Sequence, residues 1–234
     1  MNKLSIIVPI YNEEKTIPLI LDKIGDVKID LEKEVILIDD GSKDGTPELL
    51  KKYLERGYKV IRMDKNMGKG AAIRKGFEAM TGDVAIIQDA DLEYDPKDYL
   101  AVIQPILDGD ADVVYGSRFI SVLPRRTLYF SHHVANNFLT FLSNVMTGLN
   151  LSDMETGYKA FTSKAIKEIL PCLKSKRFGI EPELTAQIAK HKLKVYEVGI
   201  SYKGRTYSDG KKIGWKDGLA AIWHIIRFNL FTKK

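Results

Sequence analysis

The sequence predicts an α/β domain in which a mostly parallel central sheet is covered by helices on both faces. Short apolar runs alternate with segments of helical spacing through residues 1–118. The apolar runs are continuous, which is typical of parallel strands buried on both faces. At 234 residues and 44% hydrophobic residues, the chain can bury a substantial core.

The first half is predicted to alternate strand and helix. The first strand covers 4–8 and is ended by Pro9, and Pro96 marks the start of the fourth helix. The later strands are predicted at 35–38, 59–62, 84–87 and 112–115. The helices are predicted at 13–24, from 44 onward, at 70–80 and at 97–107. Strands and helices in this order imply a parallel sheet.

The second half is less regular. Helices are predicted at 131–147, 164–170, 181–190 and 215–231, and strands at 156–161 and 194–198. No break in composition marks a second domain. We therefore expect one domain over residues 1–214, followed by an amphipathic helix within 215–234.

Charge and cysteine content exclude several classes of protein. Residues 203–234 carry eight Lys and Arg against two acidic residues, while the first 202 carry 28 against 29. The sequence has no repeated pattern of basic and aromatic residues, so it does not indicate a nucleic-acid partner. The single cysteine, Cys172, excludes an intramolecular disulfide framework. With no targeting signal and no spanning apolar stretch, we expect a cytoplasmic protein that is soluble or peripheral to a membrane.

Polar loops follow all five predicted strands, at the edge where a parallel sheet binds ligands. These loops are 9–13, 39–42, 66–70, 89–93 and 116–118. Together they predict one site. The site does not match a dinucleotide-binding fold, because the first strand runs into Tyr11-Asn12-Glu13 instead of a Gly-x-Gly-x-x-Gly turn.

Asp89 and Asp91 are the sharpest chemical signal in the sequence. Two acids at positions i and i+2 after a buried strand can face one cation if the chain bends there. Mg²⁺ and Mn²⁺ prefer carboxylate and phosphate oxygens. No His or Cys lies nearby in the sequence, which disfavours zinc. The alternative is a helix-capping loop before Pro96.

Several motifs together resemble those of family 2 glycosyltransferases, which have the GT-A fold. These are Ile-Val-Pro-Ile-Tyr-Asn-Glu-Glu (7–14), Asp-Asp-Gly-Ser-x-Asp-Gly-Thr (39–46), Asn-x-Gly-Lys-Gly (66–70) and Asp-Ala-Asp (89–91). Gly-Ser-Arg-Phe (116–119), Glu-Thr-Gly-Tyr-Lys (155–159) and the segment 205–214 resemble the branch of dolichyl- and polyprenyl-phosphate mannose or glucose synthases. The resemblance covers nearly the whole chain.

The resemblance implies a role for each motif residue. The nucleotide-sugar site would be formed by Pro9, Tyr11, Glu13, Ile38, Asp40, Lys69, Asp89 and Ala90. The metal site would be formed by Asp89, Asp91 and Glu93, with Asp91 as the main ligand of Mg²⁺ or Mn²⁺. The catalytic set would be Asp91, Arg118, Arg205 and Lys211. In that set the basic side chains hold donor or acceptor phosphates, to which arginine presents a planar fork.

The implied reaction is inverting transfer of a hexose from a nucleotide diphosphosugar, GDP-mannose or UDP-glucose, to a polyprenyl or dolichyl phosphate. A lipid phosphate is already anionic at neutral pH, so it needs positioning and no general base. The alternative is a soluble family 2 enzyme acting on a hydroxyl, which needs a carboxylate base. Candidates for that base are Asp153, Glu155, Glu181 and Glu183.

The final helix is more apolar than packing alone requires. Its apolar residues span an arc of roughly 220°, while a packed surface helix needs a stripe of only about 100°. We expect residues 215–234 to lie in the interface at the cytoplasmic face of a membrane, with basic side chains near anionic lipids. A helix packed against a partner subunit is the alternative. A membrane-anchoring subunit is a further expected partner.

Overall fold

The computed structural model describes residues 1–120, 129–177, 179–204 and 215–232, with backbone alone for 215–217. Within these residues the chain forms one seven-stranded sheet and eight α-helices. The strands are β1 Lys3–Ile10, β2 Glu32–Asp39, β3 Lys59–Arg62, β4 Val84–Ile87, β5 Val113–Ser117, β6 Lys159–Thr162 and β7 Val195–Gly199. The helices are α1 Ile17–Asp26, α2 Thr46–Glu55, α3 Lys69–Ala79, α4 Tyr99–Leu107, α5 Phe130–Thr147, α6 Ser163–Ile169, α7 Ile180–Lys190 and α8 Trp215–Leu230.

The sheet is mostly parallel, as predicted. Its strand order is β3-β2-β1-β4-β6-β5-β7, and only β6 runs antiparallel to its neighbours β4 and β5. The carboxyl ends of β1 to β5 therefore meet at one edge. The strand predicted at 156–161 begins later, because Thr156 and Gly157 are held in a loop. The Thr156 hydroxyl donates to the carbonyl of Gly116, and the Gly157 amide donates to the Tyr94 hydroxyl.

The first helix also begins later than predicted, at Ile17 rather than at Glu13. Residues 13–16 form a turn in which the amides of Thr16 and Ile17 donate to the Glu13 carbonyl. The Glu13 carboxylate accepts a 2.7 Å hydrogen bond from the Thr16 hydroxyl. Pro18 follows within the first helical turn, where its missing N–H costs nothing. The turn keeps Glu13 at the sheet edge.

Two hydrophobic clusters cover the two faces of the sheet, which confirms helices on both sides. One contains residues of α1, α2 and α4, and the other contains residues of α3, α5, α6, α7 and α8. Helix α7 is buried from Ile180 to Ile188, because α5 and α8 pack over it. Ile225 and Phe228 hold α8 to this layer. No helix among the described residues is long and apolar enough to cross a membrane.

Candidate active site

The loops after β1 and β2 interlock at the sheet edge. Asn12 has a positive φ of 56° and its amide donates to the Ser42 hydroxyl at 2.9 Å. The Asn12 side-chain oxygen accepts from the amide of Lys43 at 2.8 Å. These bonds bring the segment that contains Pro9, Tyr11 and Glu13 beside the Asp-Asp-Gly-Ser loop, as the sequence predicted.

Asp40 organises the loop between β3 and α3. Its two carboxylate oxygens accept hydrogen bonds from the amides of Met67 and Gly68, each at 2.7 Å. Burial raises the pKa of Asp40, and these two amides offset part of that effect. Gly68 has a φ of 95°, a region that L side chains rarely adopt, which accounts for glycine at this position. Contact between Asp40 and a nucleotide base stays a prediction.

Ile38 and Ala90 have buried side chains, and their predicted nucleotide contacts stay predictions. Their side chains are 0% and 3% exposed and belong to the two hydrophobic clusters, so neither side chain can reach a ligand. Only their main-chain atoms remain available for the predicted nucleotide contact. The alternation of strand side chains explains this result, because Ile38 points to the α3 face while the next residue, Asp39, points away from it.

A chain of alternating charges runs inward from the loop after β4. The Lys69 ammonium lies 2.8 Å from the Asp89 carboxylate and 3.5 Å from Glu181. Glu181 in turn pairs with Lys159, which is fully buried and also donates to the carbonyls of Met154 and Thr156. Burial lowers the pKa of Lys69, but Asp89 and Glu181 raise it by more, so the ammonium stays charged.

Asp91 and Glu93 follow Asp89 on the same loop. The Asp91 carboxylate accepts a 3.1 Å hydrogen bond from the Glu93 amide, and Leu92 between them has a positive φ of 65°. The Glu93 carboxylate accepts a 2.8 Å hydrogen bond from the Tyr202 hydroxyl. Among the described residues, no group of three or more His, Cys, Asp or Glu side chains is arranged to hold a metal. The predicted metal ligands Asp89, Asp91 and Glu93 thus lie on one loop, but their three carboxylates are not grouped closely enough to hold one ion together.

Arg118 lies at the end of β5 in a polar cluster. Its guanidinium donates two hydrogen bonds to the Asp153 carboxylate, both at 2.7 Å, and a third to the Asn136 side chain at 3.1 Å. Burial opposes the charge of Arg118, but Asp153 raises its pKa well above the ordinary value. The guanidinium also lies over the ring of Tyr202, 5.2 Å from the centroid. Tyr202 therefore joins Arg118 to Glu93.

The four candidate bases differ in what surrounds them. Asp153 is paired with Arg118, and that pairing outweighs burial and lowers its pKa. Glu183 is buried and accepts from the amides of Lys174 and Ser175, which gives it a structural role. Glu181 is paired with two lysines. Glu155 differs: burial and nearby Glu181 raise its pKa to about 7. Its Oε1 is buried and accepts no hydrogen bond from the described residues.

Sequence reasoning missed several residues that build this site. The pairing of Lys159 with Glu181, the hydroxyls of Tyr94 and Tyr202, and the contact of Asn136 with Arg118 all join elements far apart in the chain. Only the Glu-Thr-Gly-Tyr-Lys motif signalled part of this set. The predicted phosphate ligands Arg205 and Lys211 lie outside the described residues.

Comparison with known proteins finds relatives over nearly the whole chain. The family model described as glycosyl transferase family 2 matches residues 5–170. The chain is 30% identical to an uncharacterised protein of Methanocaldococcus jannaschii, over 98% of this chain and 93% of that protein. It is 29% identical to a UDP-N-acetylglucosamine–dolichyl-phosphate N-acetylglucosaminyltransferase of Methanococcus voltae, over 96% of this chain and 95% of that one.

A solved structure shows the same fold. Glucosyl-3-phosphoglycerate synthase from Mycobacterium tuberculosis, in complex with Mn²⁺, UDP-glucose and phosphoglyceric acid, is similar with a TM-score of 0.72 and 19% identity. The match covers 100% of this chain and 81% of the synthase. The GT-A fold predicted from the sequence is confirmed. Since the family model spans most of the chain and the motif residues meet at the sheet edge, the protein is a glycosyltransferase that belongs to glycosyl transferase family 2.

Proposed function

We propose that this enzyme transfers a hexose, with inversion, from a nucleotide diphosphosugar to a polyprenyl phosphate at the cytoplasmic face of a membrane. One observation carries the proposal. Tyr202 donates to Glu93 on the loop after β4, and its ring lies under the guanidinium of Arg118 at the end of β5. A carboxylate loop suited to a cation and an arginine suited to phosphate are therefore adjacent. Transfer between two phosphate-bearing substrates needs both.

The donor side fits a divalent cation shared with the substrate. Asp91 and Asp89 offer oxygen ligands, which Mg²⁺ and Mn²⁺ prefer, and these ions commonly complete their coordination with substrate phosphates and water. Two protein carboxylates are then sufficient. A bound cation would neutralise the leaving diphosphate. Lys69 holds Asp89 in place from the first turn of α3.

The acceptor side is built to position an anion. Asp153 fixes the Arg118 fork through two parallel hydrogen bonds, which orients the whole guanidinium plane. A phosphate oxygen is a nucleophile without deprotonation, so orientation against the donor is the main requirement. Arg205 and Lys211 remain proposed phosphate ligands. The Methanococcus voltae relative is named for a dolichyl-phosphate acceptor, and this name supports the same acceptor class here.

The proposal is tested by assaying the purified protein with Mn²⁺, a short-chain polyprenyl phosphate and each of UDP-glucose, UDP-N-acetylglucosamine and GDP-mannose. Arg118→Lys keeps the positive charge but loses the planar set of N–H donors of the guanidinium. We expect it to lower kcat/KM for the acceptor about tenfold or more and to leave donor affinity unchanged. Arg56→Lys, an exposed arginine after α2, is the matched control. An equal loss of donor affinity would assign Arg118 to the donor, and no lipid-linked product with any donor would refute the proposal.

A second candidate function rests on Glu155. A carboxyl with a pKa of about 7 and a buried oxygen without a described hydrogen-bond donor suits a general base for a hydroxyl acceptor. Glu155→Gln separates the two functions. It should abolish transfer to a hydroxyl acceptor such as a phosphoglycerate, and leave transfer to a polyprenyl phosphate nearly intact.

A further inference from the structure

The outer face of α5 is a continuous apolar surface. Phe130, Val134, Phe138, Phe141 and Val145 are all exposed, and Phe130 and Phe141 are 81% and 65% exposed. At 100° per residue these five positions fall within an arc of about 80°. They therefore form one row along the helix.

The surroundings of this row are also apolar or uncharged. None of the 18 residues of α5 is Asp, Glu, Lys or Arg. Helix α8 packs beside α5, and both pack over α7, so their outward faces are neighbours. Helix α8 adds three exposed apolar side chains, and we call the combined surface the α5–α8 face. It consists of Phe130, Val134, Phe138, Phe141, Val145, Leu219, Trp223 and Leu230.

The distribution of charge around this face indicates that it contacts a lipid bilayer. The uncharged row on α5 matches the acyl boundary of a bilayer, where phenylalanine and valine are stable without polar partners. Helix α8 lies in the segment 203–234, which has eight Lys and Arg against two acidic residues. The sequence charge of this segment complements an anionic lipid surface, and among the described side chains of α8 the basic Arg227 is exposed. Trp223 has the amphipathic ring that is enriched at the headgroup level.

The inner face of α5 touches the acceptor side of the active site. Asn136 is two residues from both Val134 and Phe138, so it lies on the opposite side of the helix, where it accepts a 3.1 Å hydrogen bond from Arg118 and donates to Asp153 at 3.3 Å. The same helix thus faces solvent with its apolar row and holds the proposed phosphate-binding arginine with its polar side. Contact between the row and a bilayer would place Arg118 near the headgroup level, where a lipid phosphate lies.

We propose that the α5–α8 face docks this enzyme on the surface of a lipid bilayer, with α5 as the principal contact. This proposal rests on the proposed function, because docking on a bilayer would give the enzyme access to a lipid phosphate acceptor. It extends the expected membrane contact from residues 215–234 to a helix in the middle of the chain.

The test is co-sedimentation of the full chain with vesicles of phosphatidylcholine and phosphatidylglycerol. Phe138→Glu combined with Phe141→Glu should lower vesicle partitioning about tenfold or more, because two charges would enter the acyl boundary. Leu54→Glu combined with Leu100→Glu changes two equally exposed leucines on α2 and α4 and should leave partitioning unchanged. Circular dichroism and size-exclusion chromatography check that all variants fold.

Three results would overturn the proposal: no vesicle binding by the wild type, equal binding by both double variants, or a wild-type dimer that Phe138→Glu dissociates. The last result would make the face an interface between two copies. Turnover of a water-soluble, short-chain polyprenyl phosphate without vesicles separates this proposal from the proposed function. If that turnover is absent while vesicle binding depends on α5, docking stands and the acceptor assignment fails.

Discussion

The ammonium group of Lys69 lies 2.8 Å from the carboxylate of Asp89, which joins the first turn of α3 to the loop after β4. Glu181 lies 3.5 Å from the same ammonium. The backbone of Gly157 lies against the ion pair, and a Cβ there would be 2.6 Å from Asp89 and 2.8 Å from Lys69. Four segments distant in sequence therefore determine where one carboxylate points.

Gly157→Ala should damage activity more than stability. The added methyl group would meet the ends of two side chains, which can move, so we expect a free energy of unfolding within about 1 kcal/mol of wild type. Displacing the Asp89–Lys69 pair should lower kcat between about tenfold and 100-fold. Gly25→Ala is the control, because nothing lies within 4 Å of a Cβ at that position. Unchanged kcat in Gly157→Ala would show that the ion pair is not needed in this position.

The sequence allowed the architecture and the sheet edge of the site to be predicted because both depend on local patterns. Continuous apolar runs located the parallel strands, and the polar loops after them located Asp40, Asp89 and Asp91. The antiparallel direction of β6 was not predictable in this way. Strand direction depends on which neighbours the strand pairs with, and β6 is inserted between β4 and β5.

The interior of the site was harder to predict because its contacts are long-range. Lys159 lies within the predicted strand and ends the Glu-Thr-Gly-Tyr-Lys motif, but no local pattern indicates that it is fully buried beside Glu181, 22 residues later. Asn136 lies within the predicted helix 131–147, and its contact with Arg118 depends on how α5 packs. No periodicity indicates such partners. The motif around Ile38 did not show which way its side chain points; the side chain packs into the core, which leaves main-chain atoms for the predicted contact.

Lys159→Met should destabilise the fold strongly. It removes the buried partner of Glu181 and leaves the carbonyls of Met154 and Thr156 without their described donor. Breaking a buried ion pair from one side typically costs about 3–5 kcal/mol. Lys164→Met, at an exposed position on α6, should stay within about 0.5 kcal/mol of wild type. Urea unfolding followed by circular dichroism measures both, and equal midpoints for the two variants would contradict the structural role of Lys159.

Asp40→Asn should loosen the loop between β3 and α3. An asparagine offers one acceptor oxygen, while its amide group would face the donating amide of Met67 or Gly68. We expect a loss of about 1–3 kcal/mol in unfolding free energy and weaker nucleotide binding. Asp64→Asn, an exposed carboxyl on the same loop, is the control. Isothermal titration with UDP and GDP measures binding, and wild-type affinity in Asp40→Asn would argue against any role of this loop in holding the donor.

Asp91→Asn should remove most of the metal-dependent rate without unfolding the loop. The remaining oxygen can still accept from the Glu93 amide, but the negative charge that a hard cation prefers is lost. Mn²⁺ together with UDP should raise the melting temperature of the wild type and leave that of the variant nearly unchanged. Asp95→Asn tests specificity, because that carboxylate pairs with Lys23 instead. An equal Mn²⁺-dependent shift in wild type and Asp91→Asn would place the cation on other ligands.

Glu155→Gln should change how stability depends on pH. Burial and Glu181 raise the pKa of Glu155 from its ordinary value of 4.5 to about 7, against the opposing effect of Lys159 and Arg118. Between these values the folded state keeps a proton that the unfolded chain has lost, so the contribution of this group to stability falls as pH rises from 4.5 to 7.

Glutamine does not ionise in this pH range, so the variant does not lose stability in this way as the pH rises. Wild type and Glu155→Gln should be equally stable near pH 4.5, and the variant should be more stable by about 1–3 kcal/mol at pH 8. Glu55→Gln, an exposed carboxyl at the end of α2, controls for the loss of one negative charge. Denaturant midpoints measured from pH 4.5 to 8 give the difference directly. Parallel pH profiles for wild type and Glu155→Gln would mean that Glu155 ionises in the fold as it does in water, and would remove the physical basis for its use as a general base.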